Sequence, residues 1–221
     1  MYSMNFDIVI GKYRLTALEK AAIKCSVENL ADTADITLPG TLFNGTLEIE
    51  GKIAEGDAVR ILLGYDQVLR EEFAGYVNEI ATDNDSVRIR CEDELYKFRK
   101  DLKDRVLKNI TVKALLTSVA QEVGSYEIEC DYDFTYDSFT IHAATGYDVL
   151  RKVQSETKAN IYLRGKTLHV HPQYAQIGGK VVYDFAVNIE KSDLKYRDAT
   201  KRKFLAVVEG TDARGLSLIH I

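Results

Sequence analysis

The 221-residue sequence predicts a mainly β protein with an α+β module: a small antiparallel β-barrel, then a small α+β domain, then the start of a second β-barrel. Three observations carry this expectation. Short segments of alternating apolar and polar residues, separated by acidic or glycine turns, follow one another up to Glu92. Apolar residues then fall at helical spacing in two stretches between residues 105 and 175. After Gly178 and Gly179 strand-like patterning resumes, too briefly to close a core, since two or three strands cannot do so.

The elements follow in order. Val9 and Ile10 face Tyr13 and Leu15 across a Gly11-Lys12 pair, which reads as a hairpin. Residues 23–28 and 34–38 alternate as strands, and Pro39-Gly40 ends the second, because proline cannot donate to a ladder and glycine supplies the turn. Further strands are expected at 47–49, 58–65, 72–77 and 86–92, with turns at 55–57, 65–67 and 82–85. At Asp93 the period changes: Leu95, Tyr96, Phe98 and Leu102 among charged neighbours predict a short amphipathic helix leaving the barrel. Thr111 is the expected N-cap of a helix stopped at Gly124, and Thr145 that of a second helix over 146–157. Strands are expected at 126–130 and 138–141, with a hairpin over 159–172 that turns at Arg164-Gly165-Lys166. Residues 181–185 and 204–209 look strand-like, with a basic polar stretch between them. The expected domains are 1–104 (barrel), 105–175 (α+β) and 176–215 (incomplete second barrel).

The last six residues, 216–221, resemble the translation of a transposon end used to prepare sequencing libraries. They are expected to be a scar, with the natural chain running on past Gly215 as a longer protein, and His220 is given no functional weight.

Composition narrows the function. With 46% apolar, 29% charged and 10% aromatic residues, the chain has the balance of a globular protein, not of a disordered or collagenous one. No apolar stretch approaches the ~20 residues of a membrane span, and the first seven residues lack the basic start and apolar core of a secretory signal. The net charge of −5 disfavours nucleic acid as a partner, since phosphate contact needs clustered Lys and Arg. Charge is uneven: residues 1–100 hold 12 basic and 18 acidic groups, the rest 17 and 16, which fits two modules.

Each residue set that could carry chemistry has a plainer reading. Cys25, Cys91 and Cys130 are odd in number, far apart and without a C-x-x-C pair, so they read as reduced, mostly buried thiols. Arg164-Gly165-Lys166-Thr167 ends like a phosphate loop, but the required earlier glycine is Asn160 and the setting is a hairpin. His169 and His171, two apart on a strand, face the same side and could hold a metal. No third ligand of suitable spacing lies nearby, so they are expected to be solvated face residues. Asp131-Tyr132-Asp133 reads as an acidic loop, and Asp83-Asn84-Asp85 departs from the calcium-loop pattern at Val87 and Arg88. His142 has no visible partner. Glu92-Asp93-Glu94 stacks three carboxylates, for which a helix N-terminus is a simpler cause than general acid–base chemistry. Lys191, Lys195, Arg197, Lys201, Arg202 and Lys203 form the one basic concentration, read as a solvated or subunit-contact surface. No catalytic, cofactor-binding or metal site is expected, and no cofactor.

Taken together, residues 30–40, the pattern Ile53-x-x-Gly56-Asp57-x-x-Arg60-Ile61-x-Leu63-Gly64-Tyr65, Glu72-Phe73-x-Gly75-Tyr76-Val77, and 87–96 resemble the N-terminal domain of phage tail baseplate hub proteins of the late control protein D family. That family is similar in turn to the N-terminal part of type VI secretion spike proteins. The resemblance covers residues 5–213, with 111–172 similar to the family's second domain. It rests on order and spacing more than on any one motif. It implies a virion structural protein and no enzyme: a homotrimer whose two barrels per subunit make a pseudo-sixfold ring between tail tube protein and spike protein. Such a protein is assembled in the bacterial cytoplasm and located in the tail baseplate, with neither nucleic acid nor membrane as partner. It also implies an exposed, unfinished edge between 181 and 209. The alternative is a cell-wall glycan-binding module or accessory domain of a tail-associated hydrolase, suggested by the 13 tyrosines. That alternative predicts an aromatic groove around Tyr126, Tyr132, Tyr136 and Tyr162.

Overall fold

A computed structural model describes residues 3–39, 53–82, 86–173, 179, 182–189 and 191, and the backbone of 208–211 and 217–220. The chain divides into two compact units, Met1–Ile177 and Gly178–Ile221.

The first unit opens with seven strands: β1 (Met4–Ile10), β2 (Tyr13–Arg14), β3 (Lys20–Lys24), β4 (Thr33–Pro39), β5 (Ala58–Tyr65), β6 (Val68–Thr82) and β7 (Ser86–Glu92). They form one antiparallel sheet in the order β2-β1-β5-β6-β7-β4-β3. Strict alternation drives it: in β4 every second residue, Ala34, Ile36 and Leu38, is buried, and Val87, Ile89 and Cys91 do the same in β7. These residues share a core with Ile8, Ile61 and Phe73. The 15-residue β6 pairs with β5 through its first half and with β7 through its second. Register shifts at Ile61/Leu62 and Val77/Glu79 bend the ladder at this transfer. Gly75 sits there because a Cβ would lie 2.1 Å from the Glu92 carbonyl oxygen. No ladder among the described residues joins β2 to β3, so the expected barrel is observed as an open sheet curled around its core. The strand expected at 47–49 lies outside the described residues.

Asp93 ends β7 and caps a 3₁₀ helix, Glu94–Arg99, accepting a hydrogen bond from the Leu95 amide. The α+β module follows: β8 (Arg105–Thr111), α1 (Val112–Val123), β9 (Glu127–Cys130), β10 (Thr135–Ile141), α2 (Gly146–Thr157), β11 (Asn160–Arg164) and β12 (Thr167–His171). Both predicted caps are present. Thr111 accepts from Ala114, and Thr145 with Asp148 completes a capping box. β8 and β10 form a two-stranded ribbon, while β11, β12 and β9 form a second sheet in which β12 and β9 run parallel. Strand β8 is not marked by any sequence pattern: only its partner's Phe139 and Ile141 are buried, and β8 itself has no fully buried residue to set a period.

The module's core joins Leu115, Leu116, Leu150, Ile161, Leu168 and Val170 to residues from earlier in the chain: Leu30, Ala31, Leu95, Phe98 and Leu102. The 3₁₀ helix thus contributes its apolar side to the second core.

In the second unit the strand expected at 181–185 is not observed among the described residues. Residues 185–188 form a turn, which the Asp184 carbonyl closes by accepting from the amides of Val187 and Asn188. Alternation alone does not make a strand without a partner edge. Val182, Tyr183, Phe185 and Val187 are all exposed. β13 (Val208–Thr211) and β14 (Ser217–His220) pair antiparallel. Most of the basic stretch lies outside the described residues.

Candidate functional site

Four places gather polar or apolar groups that could act: the carboxylates at the end of β7, the thiols, the histidine strand β12, and an apolar groove beside β5 and β6.

At the first, each carboxylate is engaged internally. Glu92, 6% exposed, accepts two hydrogen bonds from Arg99, at 2.7 and 2.6 Å, and one from Asn78 Nδ2 at 3.2 Å. Arg99 also lies over the Tyr147 ring, 4.4 Å from its centroid. Asp93 accepts from the amides of Leu95 at 2.9 Å and Asp32 at 3.1 Å. Burial pushes its carboxyl up to about 6, against the lowering effect of those two bonds. Glu94 is partly buried, which opposes ionisation, yet hydrogen bonds from Lys97 and Tyr126 hold it below the usual carboxylate range. Asp93 and Glu94 line a cleft of about 530 Å³ together with Cys25, Asp32 and Glu72. Asp93 caps the helix, the cause the sequence suggested for this stretch, whereas Glu92 pairs with Arg99, a role the sequence did not mark.

Of the thiols, expected to be mostly buried, only Cys91 is buried; Cys130 is half-buried and Cys25 exposed. Burial pushes Cys91 up to about 12, and burial also raises Cys25 and Cys130, with nearby Asp32 and Asp131 carboxylates adding to it. All three are free. His142 is exposed and pairs with Asp104 at 2.5 Å. Gly165 and Lys166 form the turn between β11 and β12, where Gly165 has φ +62°, so the phosphate-loop likeness has no helix to serve.

The four tyrosines do not converge. Tyr126 packs on Phe98 and donates to Glu94, Tyr132 donates to the Thr157 carbonyl, Tyr136 donates to Glu156 between Phe134 and Phe139, and Tyr162 stacks on His169. Each is half-buried and packs or bonds to a different partner, Tyr126 and Tyr132 in the segments flanking β9, Tyr136 on β10 and Tyr162 on β11, and the aromatic groove of the glycan-binding alternative is not formed by them.

The histidine strand departs most from expectation. β12 is the middle strand of its sheet, and Leu168 and Val170 point into the core, which turns His169 and His171 to the opposite face. That face is not solvated. His171 is 2% exposed, and its Nδ1 lies 2.6 Å from Asp131 Oδ2. The His169 side chain is 15% exposed and is stacked on Tyr162 with centroids 5.0 Å apart. Parallel pairing sets Glu129 directly beside His169. Sequence reasoning missed Glu129, and the only signal was the outward alternation of Glu127, Glu129 and Asp131, which becomes informative once β9 is known to lie parallel to β12.

The apolar groove, about 670 Å³, is lined by Met4, Ile23, Leu63, Tyr65 and Val68, with Arg70 and Glu72 at its polar side. Met4, Tyr65 and Val68 are exposed, and the groove runs between the edge strand β3 and the β5–β6 hairpin. Exposed apolar residues gathered beside a strand that is an edge among the described residues are the features of a protein-contact surface.

The fold is similar to that of solved tail proteins. A prophage MuSo2 43 kDa tail protein from Shewanella oneidensis superposes with a TM-score of 0.53 at 14% identity, over 77% of this chain and 56% of that one. A tail protein from Neisseria meningitidis MC58 superposes with a TM-score of 0.59 at 13% identity, over 98% of this chain and 67% of that one. The Francisella PdpA-VgrG complex superposes with a TM-score of 0.50 at 12% identity, over 78% of this chain and 32% of that one. The chain therefore shares its fold with these proteins while spanning little more than half of the Shewanella one. No family model and no curated protein matches the sequence.

Proposed function

We propose that this chain is a structural component of the tail baseplate hub of a phage or prophage, joining the tail tube to the central spike. The observation that carries the reading is the superposition on the Neisseria tail protein, with a TM-score of 0.59 over 98% of the chain. Three subunits form the hub, and two barrel-type domains per subunit convert the sixfold symmetry of the tube to the threefold symmetry of the spike. Contacts run through strand edges such as β2 and β3 and through the apolar groove at Met4, Tyr65 and Val68. The exposed Val182, Tyr183, Phe185 and Val187 add apolar surface of the kind that marks a protein contact. The work is done by binding, and no bond is made or broken.

The test is the composition of purified tails from the host that encodes the gene. The expected result is this protein at the tail tip, at three copies for every six tube subunits of one ring, with tube and spike genes beside its own. Tails that lack the protein, or that hold it at six copies per ring, overturn the reading.

A further inference from the structure

We infer that Glu129, His169 and His171 form a binding site for a divalent transition cation of the zinc class, which braces β9 against β12. One ligand atom from each of the three lies within 4.8 Å of the other two, close enough for a single ion to take all three after small side-chain rotations. The donor set, two imidazoles and one carboxylate, is the set that suits zinc, cobalt or nickel, with an open position for water.

Two further observations point to an ion and not merely to a polar cluster. The first is His169 Nδ1. It lies 2.9 Å from Glu129 Oε2 but outside hydrogen-bond geometry, so this nitrogen, shielded from solvent, has no hydrogen-bond partner. A buried nitrogen facing a carboxylate without bonding it is the arrangement that a cation between them would satisfy. The second is Asp131, whose carboxylate holds His171 Nδ1 at 2.6 Å. This contact occupies Nδ1, so Nε2 is the atom of His171 that would meet the ion, and it fixes the ring, as the outer carboxylate does in metal-bound histidines. The Tyr162 ring, stacked on His169 at an interplanar angle of 14°, fixes the other imidazole. Glu129 and Asp131 together supply two negative charges to offset the ion's two positive ones.

The brace has a mechanical meaning. β9 and β12 are joined by parallel pairing over only four residue pairs, with β10, α2 and β11 intervening in the chain. An ion held from both strands adds a cross-link where the ladder is short, and its binding energy becomes folding energy of the module.

The experiment uses the full 221-residue chain, freed of any affinity tag and stripped with chelator, titrated with Co²⁺ and followed by its visible absorption, then competed with Zn²⁺. The expected result is one Co²⁺ per chain with low-micromolar or tighter affinity, displacement by Zn²⁺ and not by Mg²⁺, and a melting temperature raised by several degrees in excess Zn²⁺. Glu129→Gln and His169→Gln each weaken binding by at least the roughly 10- to 100-fold that loss of an outer partner of a ligand costs, while His142→Gln and His220→Gln leave it unchanged. His171→Gln alters a buried residue, so it is paired with a circular dichroism spectrum, and the test is decided by Glu129→Gln and His169→Gln. Absence of saturable Co²⁺ absorption overturns the inference. So does binding that survives both of those substitutions, or binding that is lost with His142 or His220.

Discussion

The two cores of the first unit are built on different rules. The sheet core takes one apolar side chain from every second position of β1, β4, β5, β6 and β7, and among its buried members in the described residues only Cys91 is titratable. The α+β core takes residues from two helices, from both small sheets, and from Leu30, Ala31, Leu95, Phe98 and Leu102, which precede the module. Polar groups sit at its edges under constraint: the Glu92–Arg99 pair on one side, His171 and His169 on the other. A core made by alternation tolerates local change, because each strand contributes several equivalent side chains. A core assembled from distant segments depends on single residues that link them.

The sharpest way to break this contrast is Phe98→Ala. Phe98 is fully buried at the junction, packs on Tyr126, and its carbonyl lies where a Cβ on Gly146 would come within 2.9 Å. Truncation is expected to cost about 3–5 kcal/mol, with loss of the module's cooperative unfolding. Phe73→Ala, the same truncation in the sheet core, is expected to cost less, about 3 kcal/mol at the lower end of that range. Urea denaturation followed separately by a probe in each core checks both. Equal costs would mean that the junction residue is no more critical than a strand residue.

How much of each core was legible in the sequence follows the same division. Strands β4, β5 and β7 were readable because one face is buried and the other solvated, so period two survives in the residues themselves. The two helices were readable from their caps, Thr111 and Thr145, and from apolar spacing. β8 was not, because a ribbon strand with only half-buried and exposed residues has no buried face to mark it. The closure of the barrel was not either: whether β2 meets β3 is a matter of twist and bulges, not of alternation. The cluster Glu129, His169 and His171 was half visible. The two histidines share a face by spacing alone, but the third member lies 40 residues earlier than His169 and reaches it by a parallel pairing that no local pattern encodes. Their burial was misjudged for a related reason: period two says which face a residue is on, and not what covers that face.

A smaller effect separates the junction's ion pair from surface ion pairs of the sheet such as Arg60–Glu71, both of whose members are well exposed. Arg99→Ala leaves Glu92 buried with Asn78 as its remaining side-chain donor. The expected cost is about 2–3 kcal/mol, below the full figure for a buried pair because the Arg99 side chain is 40% exposed. Adding Glu92→Gln to Arg99→Ala is expected to recover part of the loss, since the uncompensated charge is then gone. Arg60→Ala is expected to cost under about 1 kcal/mol. A double-mutant cycle at each pair measures the difference, and equal coupling energies would remove the distinction.

The smallest expected effect is a pH dependence confined to the junction. Asp93 titrates at about 6 in the folded chain against 3.8 for an unperturbed carboxyl, so between these values the native state holds a proton that the unfolded state has released. Stability attributable to Asp93 is therefore present in full below about pH 4 and is lost as pH rises through 6. With partial access of solvent the amplitude is about 1–2 kcal/mol. Asp93→Asn removes this slope. The amide oxygen can still accept from the Leu95 amide, while the second bond, from the Asp32 amide, is lost at every pH. Asp93→Asn is thus expected to be less stable than the wild type at pH 4 by about 1–2 kcal/mol, with the gap narrowing or closing by pH 7. Urea midpoints for the two proteins at pH 4, 5, 6 and 7 test it, and a gap that stays constant or widens with pH would mean that Asp93 ionises without strain and serves the junction only as a cap.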